Sequence, residues 1–209
     1  MKIAVFGATG LTGHLVVETA LERGHHVVAL SRDASRISLQ DSKLKVIEGS
    51  AQSPADVSKA LRGVDAVVHC LGIGGKGDGN ATTVVSASVK TVLREMESTG
   101  VTRIVCMSNV GAGESGTCFY NRVIIPVFLP WLRPIIADKN IMELALRESK
   151  ADWVSVRLPN IVEGSPKPVR VSEDGKRIGV SVTAGSVAFF LVDQLTNDAW
   201  LCKTPSVSN

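Results

Sequence analysis

Hydrophobic positions along this chain follow two rhythms, short continuous apolar runs and longer stretches where apolar residues recur at helical spacing. Ile3 to Phe6 reads as a strand buried on both faces, and His26 to Leu30, Leu44 to Glu48, Asp65 to Cys70, Arg103 to Ser108 and Trp153 to Arg157 as further strands. Leu15 to Leu21, Pro54 to Leu61, Thr83 to Glu97 and Asp138 to Ser149 read as the helices between them, the second with proline near its start. In the fourth helix Ile141, Met142, Leu144, Ala145 and Leu146 form the expected inner side and Asp138 the expected N-cap. Lys139 then falls in the first turn, where the helix dipole disfavours a cation and hints at another use. Ile178 to Val182 and Ser186 to Leu195 add a late strand and a last helix. Continuous apolar strands alternating with helices predict an α/β fold, a Rossmann-like doubly wound parallel sheet.

One segment breaks the rhythm. From Gly116 to Ile136, aromatic and branched residues from Phe119 to Leu132 crowd around Pro126, Pro130 and Pro134. Prolines at that density rule out one regular helix or strand through it. Such a segment must be covered by something: its own domain, a planar apolar substrate, or a second subunit, which leaves a homo-oligomer open. A membrane-surface anchor would want a stronger basic face than Arg122 and Arg133 offer.

The chemistry gathers at the strand ends. Directly after the first strand, Gly7, Gly10 and Gly13 are spaced by three, and a helix follows. Strand, glycine turn and helix in that order form the first half of a dinucleotide-binding βαβ unit. Gly7 would allow the tight turn, Gly10 the approach of a pyrophosphate, and Gly13 the packing of helix on strand. The helix N-terminus, with Leu11, would present its N–H groups to phosphate, and Thr9 and Thr12 add hydroxyls. A glycine-rich turn that binds nothing is the plainer alternative, and the strand-turn-helix context argues against it. After the second strand comes Ser31-Arg32-Asp33-Ala34-Ser35-Arg36, ~20 residues on, where the adenosine ribose is met. Arg32 and Arg36 can clamp a 2′-phosphate while Asp33 caps the turn between them, so NADP is expected over NAD. Leu71 and Gly72 after the fourth strand should lie against the cofactor. Gly74, Gly75, Gly77 and Gly79 then surround Lys76 and Asp78, either a surface loop or a cover over the nicotinamide half. Ser108 ends the fifth strand, where its position relative to the other strand ends favours a site role, and a turn-forming role is its alternative.

Composition narrows the classes. The 209 residues suit a single domain over 1–209, and 44% hydrophobic with 21% charged residues is ordinary for a soluble protein. A net charge of +3 is too small to argue for nucleic acid. No run approaches the ~20 apolar residues of a membrane span. Lys2 leads at once into a strand, so no secretory leader is expected. Cys70, Cys106, Cys118 and Cys202 form no CxxC pair, and adjacent His25 and His26 cannot share a helix face. No metal is expected, and a reducing, cytoplasmic location is.

The glycine spacing resembles the extended and atypical branches of the short-chain dehydrogenase/reductase superfamily. The opening Ile-Ala-Val-Phe-Gly-Ala-Thr-Gly-Leu-Thr-Gly, Arg32 to Arg36, Leu146 to Ser149 with Trp153 to Asn160, and the closing Thr204 to Asn209 make nearly the whole chain similar to the biliverdin-IXβ reductase/flavin reductase group. That resemblance implies NADPH as hydride donor to a small planar acceptor, a flavin first, with an open tetrapyrrole or quinone behind it. It carries Gly7, Thr9, Gly10, Thr12, Gly13, Arg32, Arg36, Leu71 and Gly72 as cofactor contacts, with Leu11, Ser108 and Pro159 beside them. Ser108, Lys139 and Asn160 form the implied catalytic corner, Lys139 and Asn160 standing where the group can carry histidines. Residues 110–136 and 158–209 are the implied substrate-side loops. Gly49 is followed by Ser50 where many relatives place Asp near the adenine. A non-catalytic NADP(H) sensor is the rival, since the superfamily includes such proteins. Tyr120 is the only tyrosine and Ile124 stands four positions later, so the Tyr-x-x-x-Lys pair of alcohol dehydrogenases is absent.

Overall fold

The computed structural model describes residues 1–73 and 79–209, so the glycine loop around Lys76 and Asp78 lies outside the described residues. In chain order the elements are β1 (Lys2–Phe6), α1 (Leu11–Glu22), β2 (His26–Ser31), β3 (Leu44–Glu48), α2 (Pro54–Leu61), β4 (Ala66–His69), α3 (Val84–Thr99) and β5 (Arg103–Asn109). Then follow α4 (Leu132–Glu148), β6 (Asp152–Leu158), β7 (Asn160–Val162), β8 (Arg170–Ser172), β9 (Ser181–Thr183), α5 (Ala184–Asp193) and β10 (Ser206–Ser208).

Alternation along β1 sets the layers. Ile3 and Val5 pack with α1 and α5 on one face, and Ala4 and Phe6 pack with α2, α3 and α4 on the other. All four are fully buried, as a strand covered on both sides requires. The main sheet runs β3-β2-β1-β4-β5-β6-β10-β8. β1 to β6 pair parallel throughout, so their six carboxyl ends share one edge. The order reverses between β1 and β4, the switch point where α/β sheets open a crevice. The doubly wound reading of the sequence stands. β10 extends the sheet parallel to β6, Ser206 opposite Arg157, and β8 closes it antiparallel. β7 and β9 form a separate parallel pair.

The segment before α4 corrects three expectations. Tyr120–Phe128 winds as a π-helix with Pro126 inside, and α4 begins at Leu132 with Pro134 in its first turn. Proline there removes only an N–H that has no helical partner. Asp138 is therefore not the N-cap of this helix, and Lys139 is not in its first turn. The buried stripe of α4 is also polar in part: Ile136, Asp138, Lys139, Met142, Glu143 and Leu146 point inward. Ile141 and Leu144, expected inside, are exposed.

Candidate functional site

A cleft of about 200 Å³ opens at the carboxyl edge over the switch point. Gly7 and Thr9 line it from the turn after β1, Arg32, Asp33 and Arg36 from the end of β2, and Leu71 and Gly72 from the end of β4. Gly49 to Gln52 and, from α3, Val84 and Ser88 complete it. Gly7 holds φ +87°, and a Cβ there would meet the backbone of Cys70 at 2.8 Å. At Gly13 a Cβ would fall 2.0 Å from the Gly7 carbonyl oxygen, so glycine alone lets α1 press on the turn. The start of α1 is bare: Gly10 is the N-cap, no side chain caps it, and the first turn carries no acid. α3 differs. Asp138 of α4 accepts from the Val85 and Ser86 N–H groups at 2.9 and 3.0 Å and occupies that helix end. Of the two helix starts, α1 is the one left open to an anion.

At the β2 end, Asp33 caps the turn Ala34–Arg36 by accepting from the Ser35 N–H at 3.0 Å and hydroxyl at 2.6 Å. These bonds, the hydroxyl first, hold its carboxyl below the usual range. Arg32 and Arg36 line the cleft, and their guanidiniums make no hydrogen bond or ion pair with another described residue. Bare N–H groups, two unpaired guanidiniums and a glycine floor fit a dinucleotide whose phosphates run from α1 to β2. Thr12 is buried behind the turn and, with Gly10, Leu11 and Gly13, shapes the cleft without lining it.

The β4 and β5 ends are joined by Lys139. Its ammonium donates to the carbonyls of Leu71 at 3.3 Å and Met107 at 2.7 Å. Burial lowers its pKa to about 8. His69 lies under the same place, wholly buried, with Nε2 2.8 Å from Ser88 Oγ. The Ser88 hydroxyl donates to the Val85 carbonyl, so Nε2 carries the hydrogen and Nδ1 is a buried acceptor without a partner among the described residues. Burial first, and then the Lys139 charge, lower the His69 pKa to about 3.

Ser108 is buried, and its hydroxyl donates to Glu143 Oε1 at 2.8 Å. Glu143 also accepts from Arg157 at 2.9 and 2.6 Å, from Ser155 at 3.4 Å and from Arg147 at 3.0 Å. The serine hydrogen is thus committed to a carboxylate under the β5 end. Sequence reading missed Glu143, His69, Asp138 as a cap of α3, and Gln52. The signal for Glu143 was periodic: residues 139, 142, 143 and 146 make one helical stripe whichever of them is polar. Ser108 and Lys139 come together at the end of β5. Asn160 does not join them: it opens β7, exposed, and shares no hydrogen bond with either among the described residues. Pro159, between β6 and β7, does not line the cleft.

A second cavity, about 500 Å³, opens beyond β5. Gly111, Ile125 and Ile136 give it apolar walls, and Arg122, Arg133 and Lys176 surround it with positive charge. Asn140, the neighbour of Lys139, also lines it.

A family model described as NAD(P)H-binding matches residues 7–198. The chain belongs to this NAD(P)H-binding family. The yeast protein UPF0659 protein YMR090W of Saccharomyces cerevisiae is 27% identical over 223 residues, covering 100% of this chain and 93% of its own. Photosystem II assembly factor Ycf39 of Synechocystis is 24% identical over 165 residues, 78% of this chain but 46% of that protein, so the match spans under half of its length. Among solved structures, a short-chain dehydrogenase/reductase from Veillonella parvula in complex with NADP has a TM-score of 0.84 at 16% identity, covering 100% of this chain and 94% of that one. ChuY, an anaerobillin reductase from Escherichia coli O157:H7, has a TM-score of 0.81 at 21% identity, covering 100% and 97%. These likenesses show a shared fold, and the family model gives it NAD(P)H binding. The expected resemblance to atypical short-chain reductases holds at that level. Among the described residues no helix is long and apolar enough to cross a membrane.

Proposed function

We propose that this chain is an NADPH-dependent reductase that passes hydride to a planar acceptor, a flavin foremost, with biliverdin-like tetrapyrroles and quinones in the same class. The observation that carries the reading is the bridge made by Lys139. It ties Leu71, a wall of the dinucleotide cleft, to Met107 at the β5 end, and its neighbour Asn140 lines the second cavity. Donor and acceptor sites then flank one buried side chain. NADPH, when bound, supplies the hydride; the acceptor takes its proton from solvent.

The chain's own residues hold and exclude. The open start of α1 receives the pyrophosphate, and Arg32 and Arg36 receive the 2′-phosphate. Leu71 and Gly72 back the nicotinamide end, where a Cβ on Gly72 would meet nothing within 4 Å among the described residues. Two of the three Lys139 donors are spent on carbonyls, so it positions the two strand ends and adds a positive field beside developing negative charge. Ser108 fixes the β5 end through Glu143. Residues 110–136 and 158–209 form the acceptor side, and the Veillonella structure with NADP and the reductase name of ChuY support the pairing of cofactor and chemistry. Asn160 is the weaker member of the catalytic set, since it stands on another sheet.

The test is NADPH oxidation with FMN, riboflavin, a quinone and biliverdin as acceptors, alongside NADPH and NADH affinities. Acceptor-dependent turnover is expected, and Arg32→Ala with Arg36→Ala should weaken NADPH binding about tenfold or more while sparing NADH. Equal losses for both cofactors would remove the NADP assignment. One observation favours a second reading: the Ser108 hydrogen and most of Lys139 are already committed to protein partners. A cofactor sensor, in keeping with the assembly-factor name of Ycf39, would bind NADPH tightly and turn over no acceptor.

A further inference from the structure

The charges around the second cavity identify the kind of acceptor it would take. Its lining contains Arg122, Arg133 and Lys176 and, among the described residues, no aspartate or glutamate. Lys176 is partly neutralised, its ammonium 3.8 Å from Asp174. The guanidiniums of Arg122 and Arg133 make no ion pair or hydrogen bond with another described residue, although both side chains project from helical turns. Arg133 lies in the first turn of α4, where the peptide dipoles already place positive charge and no acidic residue offsets it. Asn140 adds a neutral donor: its Oδ1 accepts from the Gly113 N–H at 2.8 Å, which turns Nδ2 out as the free end among the described residues. The walls are apolar, with Ile125 and Ile136 both buried. At about 500 Å³ the space lies within the usual range for a small organic ligand.

We propose that this cavity is an anion-selecting acceptor subsite, in which Ile125 and Ile136 take a flat apolar body and Arg122 and Arg133 take its phosphate or carboxylate. The word acceptor rests on the reductase reading above; the anion preference rests on the lining alone. An apolar floor without the arginines would take neutral and charged molecules alike. Two guanidiniums left without carboxylate partners lose their excess field when an anion arrives, and neutral ligands gain nothing from them.

Two matched pairs of probes separate charge from shape and phosphate from carboxylate: FMN against riboflavin, and biliverdin against its dimethyl ester. Each is titrated into the NADP⁺-loaded protein by fluorescence quenching or absorbance, for the wild type and for the Arg122→Gln/Arg133→Gln double variant. The charged member of at least one pair should bind about fivefold tighter or more at low ionic strength. The pair that shows it names the anionic group. The preference should fade near 1 M salt and in the double variant, while the affinity of the neutral member stays unchanged and shows that the cavity is intact. Equal binding within both pairs, a preference that survives the double substitution, or no binding by any of the four overturns the proposal. The same mixtures, made with NADPH, keep the two readings apart. FMN bound with a charge preference but never reduced removes the reductase and leaves the anion subsite; riboflavin reduced as well as FMN at equal KM does the reverse.

Discussion

Lys139 donates to the Leu71 carbonyl from the middle of α4, at 3.3 Å, so a buried ammonium holds the wall of the dinucleotide cleft. Burial lowers its pKa from 10.5 to about 8, opposed in part by neighbours that include Asp138 and Glu143. Between those two values the unfolded chain binds the proton and the folded chain does not. Raising the pH through that window therefore favours the folded state. Relative to Lys139→Met, the wild type should gain stability from pH 8 to 10.5 in urea titrations. A parallel or falling difference would show the ammonium is not desolvated as the geometry requires.

Gly10 and Gly13 should separate folding from binding. A Cβ at Gly13 would lie 2.0 Å from the Gly7 carbonyl oxygen, whereas one at Gly10 approaches nothing closer than 3.5 Å. Gly13→Ala should lose about 2 kcal/mol or more of stability through forced backbone movement. Gly10→Ala should fold with near-normal stability and lose NADPH affinity, read by nicotinamide fluorescence. Normal affinity in Gly10→Ala would move the pyrophosphate away from the start of α1.

Much of this was legible in the sequence, because strand burial and glycine geometry are local. Ile3 to Phe6 followed by Gly7, Gly10 and Gly13 determine a buried strand, a turn and a helix start without reference to distant residues. The placing of Arg32 and Arg36 at the cleft was legible for the same reason: Asp33 bonds within its own turn and leaves both guanidiniums free among the described residues. Asp138 and Glu143 were not. Their burial depends on donors far along the chain, the N–H groups of Val85 and Ser86 for one and the Arg157 guanidinium for the other. A polar residue on a buried stripe looks misplaced until its partner is known, which is why Leu144 was read inward in place of Glu143. The strands β7, β8 and β10 escaped because three-residue strands carry too little pattern to register.

His69 should make the fold acid-sensitive. Its imidazole has an ordinary pKa of 6.5 when unfolded and about 3 when buried beside Lys139. Across that window the unfolded chain binds a proton the folded one refuses, so stability falls as pH drops, by about 1.4 kcal/mol per unit at most. His69→Phe, which cannot titrate, should remove one proton's worth of slope from the urea-derived stability between pH 6 and 4. An unchanged slope would mean the imidazole is charged in the folded protein.

Tyr120 should be dispensable for chemistry. It is half-buried in the π-helix, and burial raises its pKa, the opposite of an activated phenol. Tyr120→Phe should alter acceptor reduction by about 1 kcal/mol or less in barrier. Secondary alcohols should not be oxidised with NADP⁺. Alcohol oxidation abolished by Tyr120→Phe would return the chain to the Tyr-x-x-x-Lys dehydrogenases.

The most direct test of hydride transfer is a single anaerobic turnover, mixing the NADPH-loaded protein with FMN. The account predicts that nicotinamide and flavin absorbance bleach together, one for one, and that deuterium at nicotinamide C4 slows both. NADPH held tightly while neither absorbance changes, with FMN or with any other planar acceptor, would contradict it.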